Sequence, residues 1–259
     1  MANRLQVVKT AAESTSGAMY GRLRWVLWDV KDTLLRVRKS VGEQYCQEAR
    51  RVGLAVPAAE IEAAFRRAYR QHSCLYPNYG MAQGLGGQAW WARVVQNTFS
   101  QCGVRDQVLL ERLAQNLYHG FSGPENWEVF PDSEKALQGC VSLGLQLGVV
   151  SNFDNRLEGI LRGCGLLSYF SFLLTSEMAG VAKPDPAIFR QALQRCGVTA
   201  TSVAHVGDHY INDYRTAQSL GIHGYLIDRS DGTSQTEVPA QYRLCSLDEL
   251  PMRLQQDTH

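Results

Sequence analysis

Asp29 closes the apolar run Trp25-Val26-Leu27-Trp28, and the polar turn Lys31-Asp32-Thr33 follows it. A carboxylate at the carboxyl end of a buried strand sits where open α/β sheets keep their reactive groups. It can attack phosphorus or carbon as a nucleophile, or simply begin a turn, since Asp favours turns. Three further segments share this character. Ser151-Asn152 end a second apolar run, and a hydroxyl with backbone N–H groups there suits the oxygens of a phosphoryl group. Lys183 opens Lys183-Pro184-Asp185-Pro186, where an ammonium on a stiff loop neutralises a carboxylate and a group in transfer. Gly207-Asp208 end another apolar run, and Asp213 follows; with Asp29 these two acids form a set able to share a hard divalent cation. Each piece alone reads as a turn or a surface charge. Their shared placement at strand ends points to phosphoryl transfer or nucleophilic hydrolysis.

The elements that must position these residues alternate. Apolar runs predict strands at 25–28, 145–150, 170–174, 203–206 and 224–227, with helical periodicity near 133–143, 155–164, 186–196 and 213–220. Strand–helix alternation implies right-handed crossovers and a mostly parallel sheet. The polar strand endings then gather along one sheet edge.

Residues 40 to 122 have a different pattern, with no buried strand. Helical spacing recurs over 41–52, then in Ile61, Ala64, Phe65, Ala68 and Tyr69, in Trp90, Trp91, Val94, Val95, Thr98 and Phe99, and in Leu110, Leu113, Leu117 and Phe121. This predicts an antiparallel bundle of about four helices inserted after the first strand, placed to act as a lid over the sheet edge. The Trp90-Trp91 pair fits core packing, with partner contact as the alternative. Gly84-Leu85-Gly86-Gly87 lacks the Lys-Ser/Thr of a phosphate loop and reads as an interhelical loop.

Composition narrows the class. Of 259 residues, 45% are apolar and 20% charged, which suits a globular protein with a real core. A net charge of +1 gives no electrostatic case for nucleic-acid or membrane partners. No apolar run approaches the ~20 residues of a membrane span. Seven scattered cysteines without a CxxC pair read as reduced thiols of an intracellular, cytoplasmic protein. Residues 1–20 are poor in acids and read as a tail, with a mitochondrial presequence as the alternative; a nuclear location is left open.

With these motifs in place, the chain resembles the haloacid dehalogenase superfamily over about residues 24 to 250. Asp29, Ser151, Lys183 and Asp208 with Asp213 stand where its four motifs stand, and the helical block stands where a type 1 cap is inserted. The resemblance implies an α/β fold, a Rossmann-like parallel sheet core with an inserted helical-bundle cap. It divides the chain into a tail (1–23), a core (24–36 and 123–250), a cap (37–122) and a C-terminal tail (251–259). It implies Asp29 as nucleophile, and Thr33, Ser151, Asn152 and Lys183 as holders of phosphoryl oxygens. It implies Mg²⁺ between Asp29, the carbonyl of Lys31 and Asp208, with Asp213 close by.

One position departs from the pattern. Family phosphatases carry a second Asp two residues after the nucleophile, which protonates the leaving group and then activates water. Here that residue is Lys31. Asp32 stands where the family usually has Gly and is expected to cap the turn. An amine near three carboxylates keeps its proton, so Lys31 can donate to a leaving oxygen but deprotonates water poorly. It could also pair with Asp29 and Asp208 and partly substitute for the metal. The leading reading is a Mg²⁺-dependent phosphatase of a small phosphorylated substrate, slowed or specialised by Lys31. The alternatives are a binding protein without turnover and a metal-independent hydrolase acting at carbon. For the last, Arg36 and Arg38 offer charges for a substrate carboxylate or halide, unless they are simply solvated. Oligomeric state is not legible.

Overall fold

The computed structural model describes residues 23–229 and 237–256 of the chain. The tail and its presequence question, at 1–22, lie outside the described residues. Strand β1, Trp25–Trp28, is buried along its whole length. Val26 and Trp28 pack into one apolar cluster, Trp25 and Leu27 into another on the opposite face. A strand covered on both faces reads as a continuous apolar run, because alternate side chains enter different cores.

Around β1 lies a six-stranded sheet in the order β5-β4-β1-β6-β7-β8, with every pairing parallel. Its other members are β4 (Gln146–Ser151), β5 (Phe172–Thr175), β6 (Val203–Gly207), β7 (His223–Ile227) and β8 (Arg243–Leu244). The chain runs from β1 to β4 and β5 on one side, then crosses back to β6, β7 and β8 on the other. β1 is therefore the switch point, and such a crevice is where open α/β sheets bind ligands. In register, Trp28 stands beside Val149 of β4 and Val206 of β6. The residues just beyond these, Asp29, Ser151 and Asp208, come together for that reason.

Sheet and helices fall close to the predicted positions, with three differences. Leu167–Tyr169 form a 3₁₀ turn, so β5 starts later than expected. The helix expected at 213–220 is instead a π-helical stretch, Tyr210–Arg215, running into Thr216–Ser219; such stretches are frequent at functional sites, and this one carries Asp213. The tail expected from 251 is, among the described residues, a helix, Leu250–Gln256. Leu250 and Leu254, one turn apart, both enter the main core.

The inserted block holds α1 (Val41–Arg51), α2 (Ala58–Leu75), α3 (Gly87–Gln101) and α4 (Gln107–Gly120). Ser40 and Glu43 start α1 with a reciprocal capping box, and Asp106 caps α4. Tyr45, Ile61, Phe99 and Leu113 form a core separate from that of the sheet. The chain enters and leaves the block through a short antiparallel ribbon, β2 (Leu35–Val37) against β3 (Trp127–Val129). No helix among the described residues is long and apolar enough to cross a membrane.

Below the sheet edge, Asp132 accepts from Arg229 at 3.0 and 2.8 Å, from the Ser246 hydroxyl at 3.0 Å and from the Leu247 N–H at 2.9 Å. Arg229 also donates to the carbonyl of Thr33 at 2.6 Å and lies 3.8 Å over the Phe130 ring, so it braces the turn after Asp29. Burial acts to raise the Asp132 carboxyl, but Arg229 and the N–H and O–H donors hold it below its ordinary value. A carboxyl depressed on folding contributes stability above its unfolded pKa, and loses it as pH falls through the folded value. Asp132→Asn is expected to cost about 1 kcal/mol at neutral pH. In urea titrations at a series of pH values, the gap to wild type should close below about pH 4.

Candidate active site

At the β1 switch point the structure gathers a buried charge cluster. Asp29, Lys183 and Asp213 are 6%, 4% and 1% exposed, too buried for any of them to ionise without a partner. The Lys183 Nζ donates to Asp29 Oδ1 at 2.7 Å, Asp213 Oδ1 at 2.6 Å and the Val150 carbonyl at 2.9 Å. All three ammonium protons are thereby committed. Burial works against the charge on Lys183, but Asp213 and Asp29 outweigh it and hold the ammonium above its ordinary pKa. Burial likewise acts to raise Asp213, yet Lys183 and the His205 N–H hold it well below the carboxylate range. Asp29 moves the other way: burial raises it, and Lys183 offsets this only in part.

Asp208 lies at the mouth of this cluster, half-buried. Burial, then the charges of Asp29 and Asp213, push its carboxyl up to about 7. Oxygens of Asp29, Asp208 and Asp213 lie within 4.8 Å of one another. The Thr33 hydroxyl stands between two of these groups, 3.4 Å from Asp29 Oδ2 and 3.4 Å from Asp208 Oδ1. Ser151, 1% exposed, faces Asp29 and favours its ionised form.

Three expectations change. The Asn152 amide is spent on the Lys183 main chain, accepting its N–H and donating to its carbonyl, each at 2.8 Å; this side chain positions the lysine loop instead of reaching toward phosphoryl oxygens. Asp213 stays in the acidic cluster as expected, and it also accepts from Lys183, from His205 Nε2 at 2.9 Å and from the His209 N–H at 3.0 Å, which holds that ammonium and its loop. The Lys31 ammonium pairs with Asp32, not with Asp29 and Asp208, because Lys183 already fills the position beside Asp29. Burial lowers the Lys31 pKa, but the contact with Asp32 more than offsets it, and the group keeps its proton. Asp32 does not cap the turn. It takes φ 62°, the left-handed region natural to Gly and tolerated by Asp, and its carboxylate turns outward to Lys31. Arg36 pairs with Glu128 at 3.0 Å, and Arg38 donates to the Trp127 carbonyl at 2.9 Å.

His205 escaped the sequence reading. It is fully buried in β6, kept neutral by burial, and packs edge-on to Phe189 at 4.8 Å. Its Nε2–H donates to Asp213 and leaves Nδ1 without a partner among the described residues. The available signal was a polar residue in the middle of an apolar strand.

Glu177 also escaped it. The Glu177 carboxylate accepts the Gly87 N–H at 2.6 Å and the Asn155 N–H at 2.8 Å. The glycine loop therefore does present a helix N-terminus to an anion, and the anion is this protein's own side chain, joining the helical block to the core. Nearby, Asn78 donates to the Ser176 carbonyl at 2.9 Å, and Trp91 Nε1 donates to Asp154 at 2.7 Å. A Cβ at Gly87 would lie 2.7 Å from that of Asp154 and 3.1 Å from a Glu177 oxygen. Gly87→Ala is accordingly expected to lower stability by about 1–3 kcal/mol, read as a lower urea midpoint at unchanged slope.

The comparisons with known proteins agree with this geometry. A family model described as haloacid dehalogenase-like hydrolase matches residues 23–221. "Haloacid dehalogenase-like hydrolase domain-containing protein 3" of Danio rerio is 65% identical over 237 residues, covering 91% of this chain and 98% of the relative. Among solved structures, a 2-haloacid dehalogenase from Pseudomonas syringae superposes with TM-score 0.65 at 25% identity, covering 90% of this chain and 99% of that one. A HAD phosphatase from Thermococcus onnurineus superposes with TM-score 0.63 at 21% identity, covering 92% and 100%; at that identity it speaks for the fold alone. With a family model spanning most of its length and a relative this similar end to end, the chain belongs to the haloacid dehalogenase-like hydrolases.

Proposed function

We propose that this hydrolase is a Mg²⁺-dependent phosphatase of small phosphomonoesters, with Asp29 as its nucleophile. The observation that carries the reading is the divided coordination of Asp29. Oδ1 is held by Lys183 at 2.7 Å, while Oδ2 faces the Thr33 hydroxyl, which also reaches Asp208. The residues present suit a hard cation. Three carboxylates lie within 4.8 Å, an oxygen donor set typical of Mg²⁺, and Lys31, which acts on Asp208 through its charge, is paired directly with Asp32. Asp29, Asp208 and the carbonyl of Lys31 would hold the ion, with Asp213 adding charge nearby. When bound, it would offset repulsion between these carboxylates and an incoming phosphate.

The chain's own groups do the rest. Lys183 fixes the Asp29 carboxylate and favours its ionised form against the effect of burial. Asp29 Oδ2 attacks phosphorus, forming an acyl phosphate as the alcohol departs. Thr33 and Ser151 supply hydroxyls at the same rim for phosphoryl oxygens. Lys31, charged and half exposed, donates a proton to the leaving oxygen. The later attack by water lacks a carboxylate base, and turnover is slow for that reason.

Phosphate release from p-nitrophenyl phosphate and a phosphomonoester panel tests the reading. Release should require Mg²⁺, stop with chelator and return with excess metal; no release from any ester overturns it. Lys31→Asp is expected to raise kcat about 10- to 100-fold by restoring an acid–base carboxylate. No gain in a folded variant would show that Lys31 is not the slow step.

A further inference from the structure

The same mouth opens into a cavity of about 920 Å³ between helical block and core, bordered by Lys31, Asp32 and Asn152 where it meets the site. That is far more room than a phosphoryl group needs, and within the range of pockets for drug-sized ligands. One part of its wall is built of rings. Tyr69, Tyr79, Trp91 and Tyr118 line it together with Phe65 and Phe121.

These rings are set in place before any ligand arrives. Trp91 is anchored through Nε1 to Asp154 at 2.7 Å. The Arg156 guanidinium forks onto that carboxylate at 2.9 and 2.6 Å. It lies 4.4 Å from the Tyr118 centroid and 5.2 Å from that of Trp91. Tyr69 lies 5.9 Å from Trp91 at an interplanar angle of 38°. It is 44% exposed, although large aromatic side chains are usually well buried. Tyr69 lines the same cavity as Lys31. Asp154 and Arg156 satisfy one another, so their charges are already paired on this wall. The charged groups Arg36, Arg38, Lys39 and Glu43 also line the cavity.

Building on the phosphatase reading, we propose that the substrate is a phosphomonoester whose alcohol carries a planar aromatic ring, stacked in this cavity against Tyr69. A flat ring meets faces already fixed, which limits the ordering cost of binding, and offset or edge contacts among rings add to simple area burial.

Phosphonates test this without turnover, since their carbon–phosphorus bond is not an ester. Calorimetry with Mg²⁺ present would compare benzylphosphonate, cyclohexylmethylphosphonate and 2,3-dihydroxypropylphosphonate. Benzylphosphonate should bind about tenfold tighter than the dihydroxypropyl compound and about threefold tighter than the saturated ring. Tyr69→Ala should remove most of that preference and Tyr69→Phe should keep it. Equal affinities, no binding of any of the three, or a preference untouched by Tyr69→Ala would overturn the proposal. Preferential binding without cleavage of any ester would instead overturn the phosphatase reading and leave the ligand class standing. Ester cleavage with equal phosphonate affinities would do the reverse.

Discussion

Replacing Asp29 by Asn should lower Mg²⁺-dependent phosphate release by at least about 10⁴-fold, as removal of a nucleophile does elsewhere. The amide keeps the shape of the carboxylate but has no charge with which to attack phosphorus. It also leaves the Lys183 ammonium with Asp213 as its remaining carboxylate partner. The fold should survive. Burial already disfavours ionised Asp29, so removing that charge relieves a desolvation cost while it removes one ion pair. The urea midpoint is therefore expected to move by no more than the equivalent of about 1 kcal/mol. A variant that stays folded and keeps more than about a hundredth of wild-type release would move the nucleophile elsewhere. Steady-state release with Mg²⁺, read beside an unfolding curve on the same preparation, separates the two effects.

Lys183→Met should have the largest effect on stability, about 3–5 kcal/mol lost, because removing one partner of a buried ion pair leaves charge uncompensated. Three hydrogen bonds end on this ammonium, two of them to carboxylates that have almost no access to water. Methionine fills similar volume, so the loss reports charge and hydrogen bonding more than a cavity. If so, Asp213→Asn added to Lys183→Met should recover part of the loss, since the double variant no longer buries that negative charge unpaired. A double-mutant cycle in urea measures the coupling. Strict additivity would contradict the picture of one charge-balanced cluster. Activity should fall in both variants, because Asp29 then loses the partner that orients it and favours its ionised form.

The inserted block bears on the same chemistry. Glu177, the Gly87 N–H, Trp91 and Asp154 draw it down over the sheet edge. The residues that would recognise a leaving group thus come from one element set and those that would cleave it from another. Such a division lets cavity walls change without disturbing the charge cluster.

Much of this architecture is legible in the linear order of residues. The run Trp25 to Trp28 declares a strand covered on both faces, because only that environment accepts four consecutive large apolar side chains. The acids and hydroxyls that end such runs announce a single polar rim, since parallel strands share their carboxyl edge. Helical spacing in Ile61, Phe65, Trp90 and Leu113 marks the bundle, because one face repeats every 3.6 residues. Asp29, Ser151, Lys183 and Asp208 were therefore nameable as a group. What the tertiary structure alone decided was which charge meets which. Lys31 is two residues from Asp29 yet turns to Asp32, while Lys183, 154 residues away, takes the place beside the carboxylate. The β2–β3 ribbon, the hold of His205 on Asp213 and the grip of Glu177 on Gly87 likewise join residues that no local pattern links. Periodicity records how a segment meets water and core, a property of near neighbours; the pairing of buried charges depends on distances and desolvation that exist only once the chain has folded.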